Sequence, residues 1–133
     1  MILLDTSICI EHTRENPVIS ARIYRLGPKD VGISALTHFE LERGISESDP
    51  QFKRINRELL DRFLKNVRVF DFTHREAAHA ARLFGRWKRQ GCAPSDLDGL
   101  IAAHANYLKA KLVYCDADFQ RLKLPRAECW PKA

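Results

Sequence analysis

Four short apolar runs, separated by amphipathic stretches, set the pattern of this chain. Met1 to Leu4 is apolar at every position, as suits a strand buried on both faces. "DVGISA" predicts a second strand from Val31 to about Ser34, "VRVFDF" a third and "KLVYC" a fourth, and "AECW" is a candidate last strand. Between them the period lengthens to that of helices. One helix is expected from about Thr6 and a second across "VISARIYRLG", ended by Gly27-Pro28. "ALTHFELERG" reads as a third, closed by Gly44. Asp49-Pro50 carries the cap-then-proline signature of a helix start, and in the helix it opens Phe52, Ile55, Leu59 and Phe63 share one face.

The segment from Thr73 to Gln90 predicts a long helix, with Ala77, Ala81, Phe84 and Trp87 along one stripe and Gly91 stopping it. "LDGLIAAHANYLKA" predicts another, with Leu97, Ile101, His104/Ala105 and Leu108 inward. "DADFQRL" is a turn or short helix. Strands alternating with helices mean βα units around a mainly parallel sheet of four to five strands, an α/β sandwich. No repeat, linker or low-complexity stretch divides the chain, and 133 residues suit one domain, residues 1–133.

Composition narrows the classes. Hydrophobic residues at 45% and charged residues at 29% are ordinary for a globular domain and exclude disorder. Lys and Arg outnumber Asp and Glu by 22 to 17, a net +5 that is compatible with a nucleic-acid partner without establishing one. "MILLD" is too short and too soon charged for a signal peptide, and no apolar run approaches the ~20 residues a bilayer requires. A cytoplasmic protein with no membrane partner is expected. Cys9, Cys92, Cys115 and Cys129 show no close pairing and read as reduced, mostly buried thiols. The five histidines lack zinc-site spacing.

The acids change the picture. Parallel sheets bind ligands beyond the carboxyl ends of their strands. Asp5 stands where the first strand ends, Glu40 about two turns into the helix leaving the second, and Asp116 directly after the fourth. Asp98 joins them if its helix, after the "GCAPSD" loop, starts at the same rim. Each acid also has a structural reading: Asp5 and Asp116 as helix N-caps, and Thr37-x-x-Glu40 and Ser95-x-x-Asp98 as capping boxes. Energetics bear on the set. A carboxylate at a helix N-terminus contributes about 0.3–1 kcal/mol, whereas two carboxylates ~6 Å apart repel by roughly 3 kcal/mol at an effective dielectric of ~20. Four converging acids therefore need a cation or shared protons. Oxygen donors without His or Cys favour Mg²⁺ or Mn²⁺ over zinc.

"MILLDTS", "ISALTHFELERG", "DGLIAAHA" and "LVYCDADF", in this order and over essentially the whole chain, resemble the PIN-domain ribonucleases, and most of all the toxins of bacterial VapBC toxin–antitoxin pairs. "AECW" resembles the last-strand ending of those toxins. The resemblance implies a PIN-like three-layer sandwich. It makes Asp5, Glu40 and Asp98 the three core metal-binding acids, Asp98 rather than Asp96 because it holds the acid position of D-x-x-I-A-A. Asp116 matches the fourth, more variable acid, with Asp118 as the alternative, although Phe119 beside it points to a structural turn. Thr6 and Ser7 match a small-hydroxyl position that helps hold a water on the metal. Where the family usually carries Thr after the fourth strand's valine, this chain has Tyr114 and then Cys115.

The implied activity is Mg²⁺-dependent (or Mn²⁺-dependent) hydrolysis of RNA phosphodiesters by an endoribonuclease toxin. The implied partners are an RNA substrate, a cognate VapB-type antitoxin and a second copy in a homodimer. Arg82, Arg86 and Arg89, with Lys88, form either a phosphate-tracking stripe or the solvated face of a helix. Phe39, Phe52 and Phe63 either build a groove for an antitoxin helix or belong to the core. Trp87 either stacks on a base or packs inward. The competing functional class is a catalytically silent PIN-like module that binds RNA or DNA with a partner. A phosphoaspartyl phosphotransferase is excluded, because Ser7 stands where its D-x-D-x-T pattern requires the second Asp. A receiver domain lacks its acidic pair near the first strand.

Overall fold

A computed structural model describes residues 1–133. Five strands, β1 (Ile2–Leu4), β2 (Val31–Ser34), β3 (Arg68–Phe70), β4 (Lys111–Tyr114) and β5 (Ala127–Cys129), form one sheet in the order β3-β2-β1-β4-β5. Every pairing is parallel. All five strands thus end at one edge of the sheet, and central β1 is flanked by β2 and β4. Side chains alternate across the pleat. Leu3, Leu112 and Tyr114 enter one core and Leu4, Ile33 and Val113 the other.

Six helices cover the two faces: α1 (Thr6–Thr13), α2 (Pro17–Tyr24), α3 (Ala35–Ser46), α4 (Lys53–Leu64), α5 (His74–Arg89) and α6 (Asp96–Leu108). Helices α1, α2 and α4, with Leu41 of α3, bury Ile8, Ile19, Ile23, Leu60 and Phe63 against one face. On the other face α5 and α6 bury Leu83, Trp87, Ile101 and Ala102, joined by Phe119 and Leu122 from a 3₁₀ segment, Ala117–Leu122. The result is the expected three-layer α/β sandwich, with all five strands parallel.

Several local expectations are corrected. Gly44 does not close α3, which runs on to Ser46. Pro50 opens a 3₁₀ turn, Pro50–Phe52, before α4 begins, with Asp49 accepting from the Gln51 N–H. On α4 the shared apolar face is divided: Phe63 is buried, whereas Phe52 and Ile55 are more than half exposed. Helix α5 is rotated from the predicted stripe, since Ala77 and Ala81 face solvent and Glu76, Ala80, Leu83 and Trp87 face inward. Glu76 tolerates that position because it accepts from the Thr73 N–H at 2.8 Å and from the Thr73 hydroxyl, completing a capping box. Of the cysteines only Cys9 is fully buried, and all four are free.

Candidate active site

Asp5 and Asp116 follow strands at the carboxyl edge of the sheet, and Glu40 lies on the helix that leaves β2 from that edge. Asp5 follows β1 directly, and its N–H donates to the Val113 carbonyl at 2.9 Å, carrying the β1–β4 ladder one step past the strand. Its side chain caps α1 by accepting from the Ile8 N–H at 3.1 Å. The Ser7 hydroxyl lies 2.8 and 2.9 Å from the two carboxylate oxygens. Asp5 is nevertheless only 3% exposed. Burial pushes its pKa up to about 6, the charge of nearby Asp98 acts in the same sense, and Ser7 and the Ile8 N–H pull the other way. Asp5 is therefore a helix cap and a perturbed carboxylate at once.

Glu40 is tied to the same point through the next residue. Thr6 Oγ1 lies 2.5 Å from Glu40 Oε1 and 3.3 Å from Thr37 Oγ1. The proposed capping box of Thr37 and Glu40 does not exist: Ser34 caps α3, and Thr37 is fully buried inside the helix. Nor does Ser95 form a capping box with Asp98, since its side chain makes no cap hydrogen bond to α6. Helix capping thus accounts for neither Glu40 nor Asp98. Burial, followed by the charges of Asp5 and Glu40, raises the pKa of the Cys9 thiol, as expected of a group between these acids and the core.

Asp116 stands on the same edge. It directly follows Cys115, whose thiol donates to Ser7 Oγ at 3.2 Å. Its own carboxylate accepts from the Asp118 N–H at 3.0 Å and caps the 3₁₀ segment. The charge of Asp98 thus reaches Asp5, Glu40 is linked through Thr6 to the turn that follows Asp5, and Asp116 leaves the same edge of the sheet with its carboxylate engaged in a cap. As they stand, no three His, Cys, Asp or Glu side chains form a group set to hold a metal ion. Hydroxyl donors partner Asp5 and Glu40 instead.

The model of the PIN domain matches residues 2–124 of this chain. The chain belongs to the PIN-domain family. Over 129 residues and 96% of each chain, this PIN domain is 28% identical to the tRNA(fMet)-specific endonuclease VapC of Shigella flexneri. It is 29% identical over 133 residues, 98% of each, to the ribonuclease VapC2 of Rickettsia felis. Among solved structures it resembles Rickettsia felis VapBC2 bound to a DNA fragment from its promoter, with a TM-score of 0.87 and 29% identity over 98% of this chain and 99% of that one.

Sequence reasoning missed Thr37, placed as a cap, and Ser34, hidden as the last residue of a strand. Thr37 stands one turn before Glu40 on the same helix face, and that spacing was the available signal. The basic stripe resolves in part. Arg82, Arg86, Lys88 and Arg89 are exposed, and Arg86 joins Arg121 and Lys123 around a cleft of about 540 Å³. Trp87, 2% exposed, packs in the core. Phe39 and Phe52 are about half exposed and Phe63 is buried, so the first two are not core residues.

Proposed function

We propose that this PIN domain is the toxin of a VapBC-type toxin–antitoxin pair, a divalent-metal-dependent endoribonuclease with Asp5, Glu40 and Asp98 as its metal-binding acids. The observation that carries the reading is the buried carboxylate of Asp5, raised in pKa beside Asp98 and linked through Thr6 to Glu40. Side chains so placed repel one another and gain from a shared cation. The donor set is oxygen only, which fits Mg²⁺ or Mn²⁺. A bound cation of this kind neutralises phosphate charge and lowers the pKa of water. Ser7 fixes the Asp5 carboxylate, Thr6 orients Glu40 and is itself met by Thr37, and Asp116 would hold a second cation or orient the attacking water. No histidine is needed.

The cleft lined by Arg86, Arg121 and Lys123 supplies positive charge for an RNA backbone. Tyr24 on α2, Phe39 on α3, Phe52 in the turn before α4 and Ile55 on α4 are exposed apolar side chains. An apolar groove nearby, lined by Ile10, Leu41, Ile45 and Leu60, reaches Glu40. An antitoxin segment lying there would silence the enzyme by covering its acids, and a homodimer is the expected toxin assembly.

Cleavage of total RNA by the antitoxin-free chain tests the reading, run with Mg²⁺, with EDTA, and with Asp5→Asn. Discrete fragments formed only by the wild type with Mg²⁺ support it. Metal-independent cleavage, or equal cleavage by Asp5→Asn, overturns it. RNA binding with no cleavage of any RNA class would favour the catalytically silent module.

A further inference from the structure

Helix α6 carries a histidine that the chemistry above does not use. His104 is fully buried, and its Nδ1 lies 2.8 Å from Ser34 Oγ. Phe72 meets the ring edge-on, with centroids 5.2 Å apart. The backbone of Asp71 approaches the ring, yet Nε2 is buried without a hydrogen-bond partner. Either tautomer leaves a polar group unpaired. If Ser34 donates to Nδ1, the Nε2–H faces only the Asp71 backbone, outside hydrogen-bond geometry. If Nδ1–H donates to Ser34, both Nε2 and the Ser34 hydroxyl proton lack partners. A buried polar group without a partner is expensive. A leucine of similar volume would suit this apolar surrounding better as packing alone.

What the histidine does gain is a fixed partner. Ser34 Oγ also accepts from the Leu36 N–H at 3.0 Å and is the N-cap of α3. Ser34 precedes Glu40 by six positions and His104 follows Asp98 by six, about 9 Å along each helix at 1.5 Å per residue. The bond joins residues 70 apart in the chain and ties the root of the helix bearing Glu40 to the middle of the helix bearing Asp98. Metal ligands on separate elements hold their geometry only if those elements are locked together.

We propose that His104 is a positioning residue for the acid cluster: through Ser34 it locks α3 against α6 and so sets the separation of Glu40 and Asp98. The proposal rests on the metal-dependent reading of that cluster. His104 touches neither the acids nor the substrate, so its removal weakens metal binding by misplacing ligands rather than by deleting one.

Mn²⁺ titration of the full chain by calorimetry, with melting temperatures in parallel, tests this on wild type, His104→Leu, His104→Asn and Leu83→Ala. Leu83→Ala truncates the core and leaves the bond intact. We expect His104→Leu to weaken Mn²⁺ about tenfold, and His104→Asn, whose amide reaches the place of Nδ1, to recover most of that. Leu83→Ala should lose melting temperature without losing affinity. Should His104→Leu fold poorly, Ser34→Ala breaks the same bond from its other end, and the double variant Ser34→Ala/His104→Asn should bind no more weakly than Ser34→Ala. Wild-type affinity in His104→Leu, or a loss no larger than in Leu83→Ala, overturns the positioning role while leaving the metal site standing. A wild-type chain that binds no Mn²⁺ and cleaves no RNA overturns the metal-dependent reading, and the positioning role with it.

Discussion

Thr6 Oγ1 lies 2.5 Å from Glu40 Oε1, joining the first turn of α1 to the second turn of α3 across 34 residues of sequence. A hydroxyl has one proton to give, and at this distance Glu40 receives it. Thr6 therefore neutralises part of the charge that a cation would otherwise neutralise, and it aims Glu40 at the residue following Asp5.

Thr6→Val keeps the shape of the side chain and removes the donor. The variant should lose about 1.5–3 kcal/mol without divalent metal, as for a hydrogen bond to a charged group. With saturating Mg²⁺ the loss should shrink, because Glu40 then has a cation to face. Chemical denaturation with EDTA and with Mg²⁺ reads both values. Equal losses in the two conditions would place Glu40 outside the metal site.

Asp5 gives a dependence on pH with a definite sign. Its folded pKa of about 6 lies above the ordinary 3.8, so the native chain holds this proton more tightly than the unfolded one. The contribution is fully present below about pH 4 and is lost as pH rises through 6. Above that the charged, buried carboxylate costs roughly 3 kcal/mol relative to its neutral form. Asp5→Asn keeps an acceptor for the Ile8 N–H and carries no charge. It should stabilise the metal-free chain by about 1–3 kcal/mol at pH 8 and by nothing at pH 4, while abolishing cleavage. Melting curves across that range check it, and a loss of stability at both pH values would make Asp5 a cap and nothing more.

The strands were legible because a strand buried on both faces leaves an unbroken apolar run, as at Met1 to Leu4 and in "KLVYC". The phase of α5 was not. Ala77, Ala80 and Ala81 give almost equal support to two neighbouring stripes, and the true one includes Glu76, whose burial depends on its bonds to Thr73. The acids could be placed on one edge from topology alone, but what holds them could not. The bonds from Thr6 to Glu40 and from His104 to Ser34 link residues 34 and 70 apart, and no local pattern encodes such pairs. Capping boxes misled for a related reason: Thr37-x-x-Glu40 and Thr73-x-x-Glu76 have the same spacing, and only the second begins where its helix begins.

That contrast is itself testable. Thr73→Ala removes the cap of α5, a helix that carries none of the proposed metal-binding acids, and should cost about 1 kcal/mol of stability, leaving the metal dependence of cleavage unchanged. Asp98→Asn should do the reverse, abolishing cleavage with little loss of metal-free stability, since Ser95 forms no cap with it. A matched pair of unfolding and RNA-cleavage assays separates the two residues. Large destabilisation by Asp98→Asn would return it to a structural role.

Gly99 directly follows Asp98, and a Cβ there would meet the Phe84 ring and come within 2.7 Å of Pro94 Cγ. Gly99→Ala must push Phe84 or the loop before α6 aside, at about 1–3 kcal/mol for an overpacked site. Because Asp98 rides on the displaced turn, Mg²⁺ half-saturation in cleavage should rise several-fold. A stability loss with unchanged half-saturation would show that the turn absorbs the methyl without moving Asp98.

Substitution at 116 and at 118 tests which residue is the fourth acid. Asp116 accepts from the Asp118 N–H at 3.0 Å and sits next to Cys115, whose thiol reaches Ser7, the residue that holds Asp5. The Asp118 side chain faces solvent, with its backbone N–H committed to Asp116. Asparagine at 116 can keep the cap, so Asp116→Asn should leave the melting temperature within a degree or two while lowering kcat about tenfold or more, as loss of a group that orients water or a second cation would. Asp118→Asn should change neither. If Asp118→Asn lowers kcat and Asp116→Asn does not, the 3₁₀ segment must rearrange when substrate binds, breaking the bond from the Asp118 N–H and turning Asp118 toward Ser7.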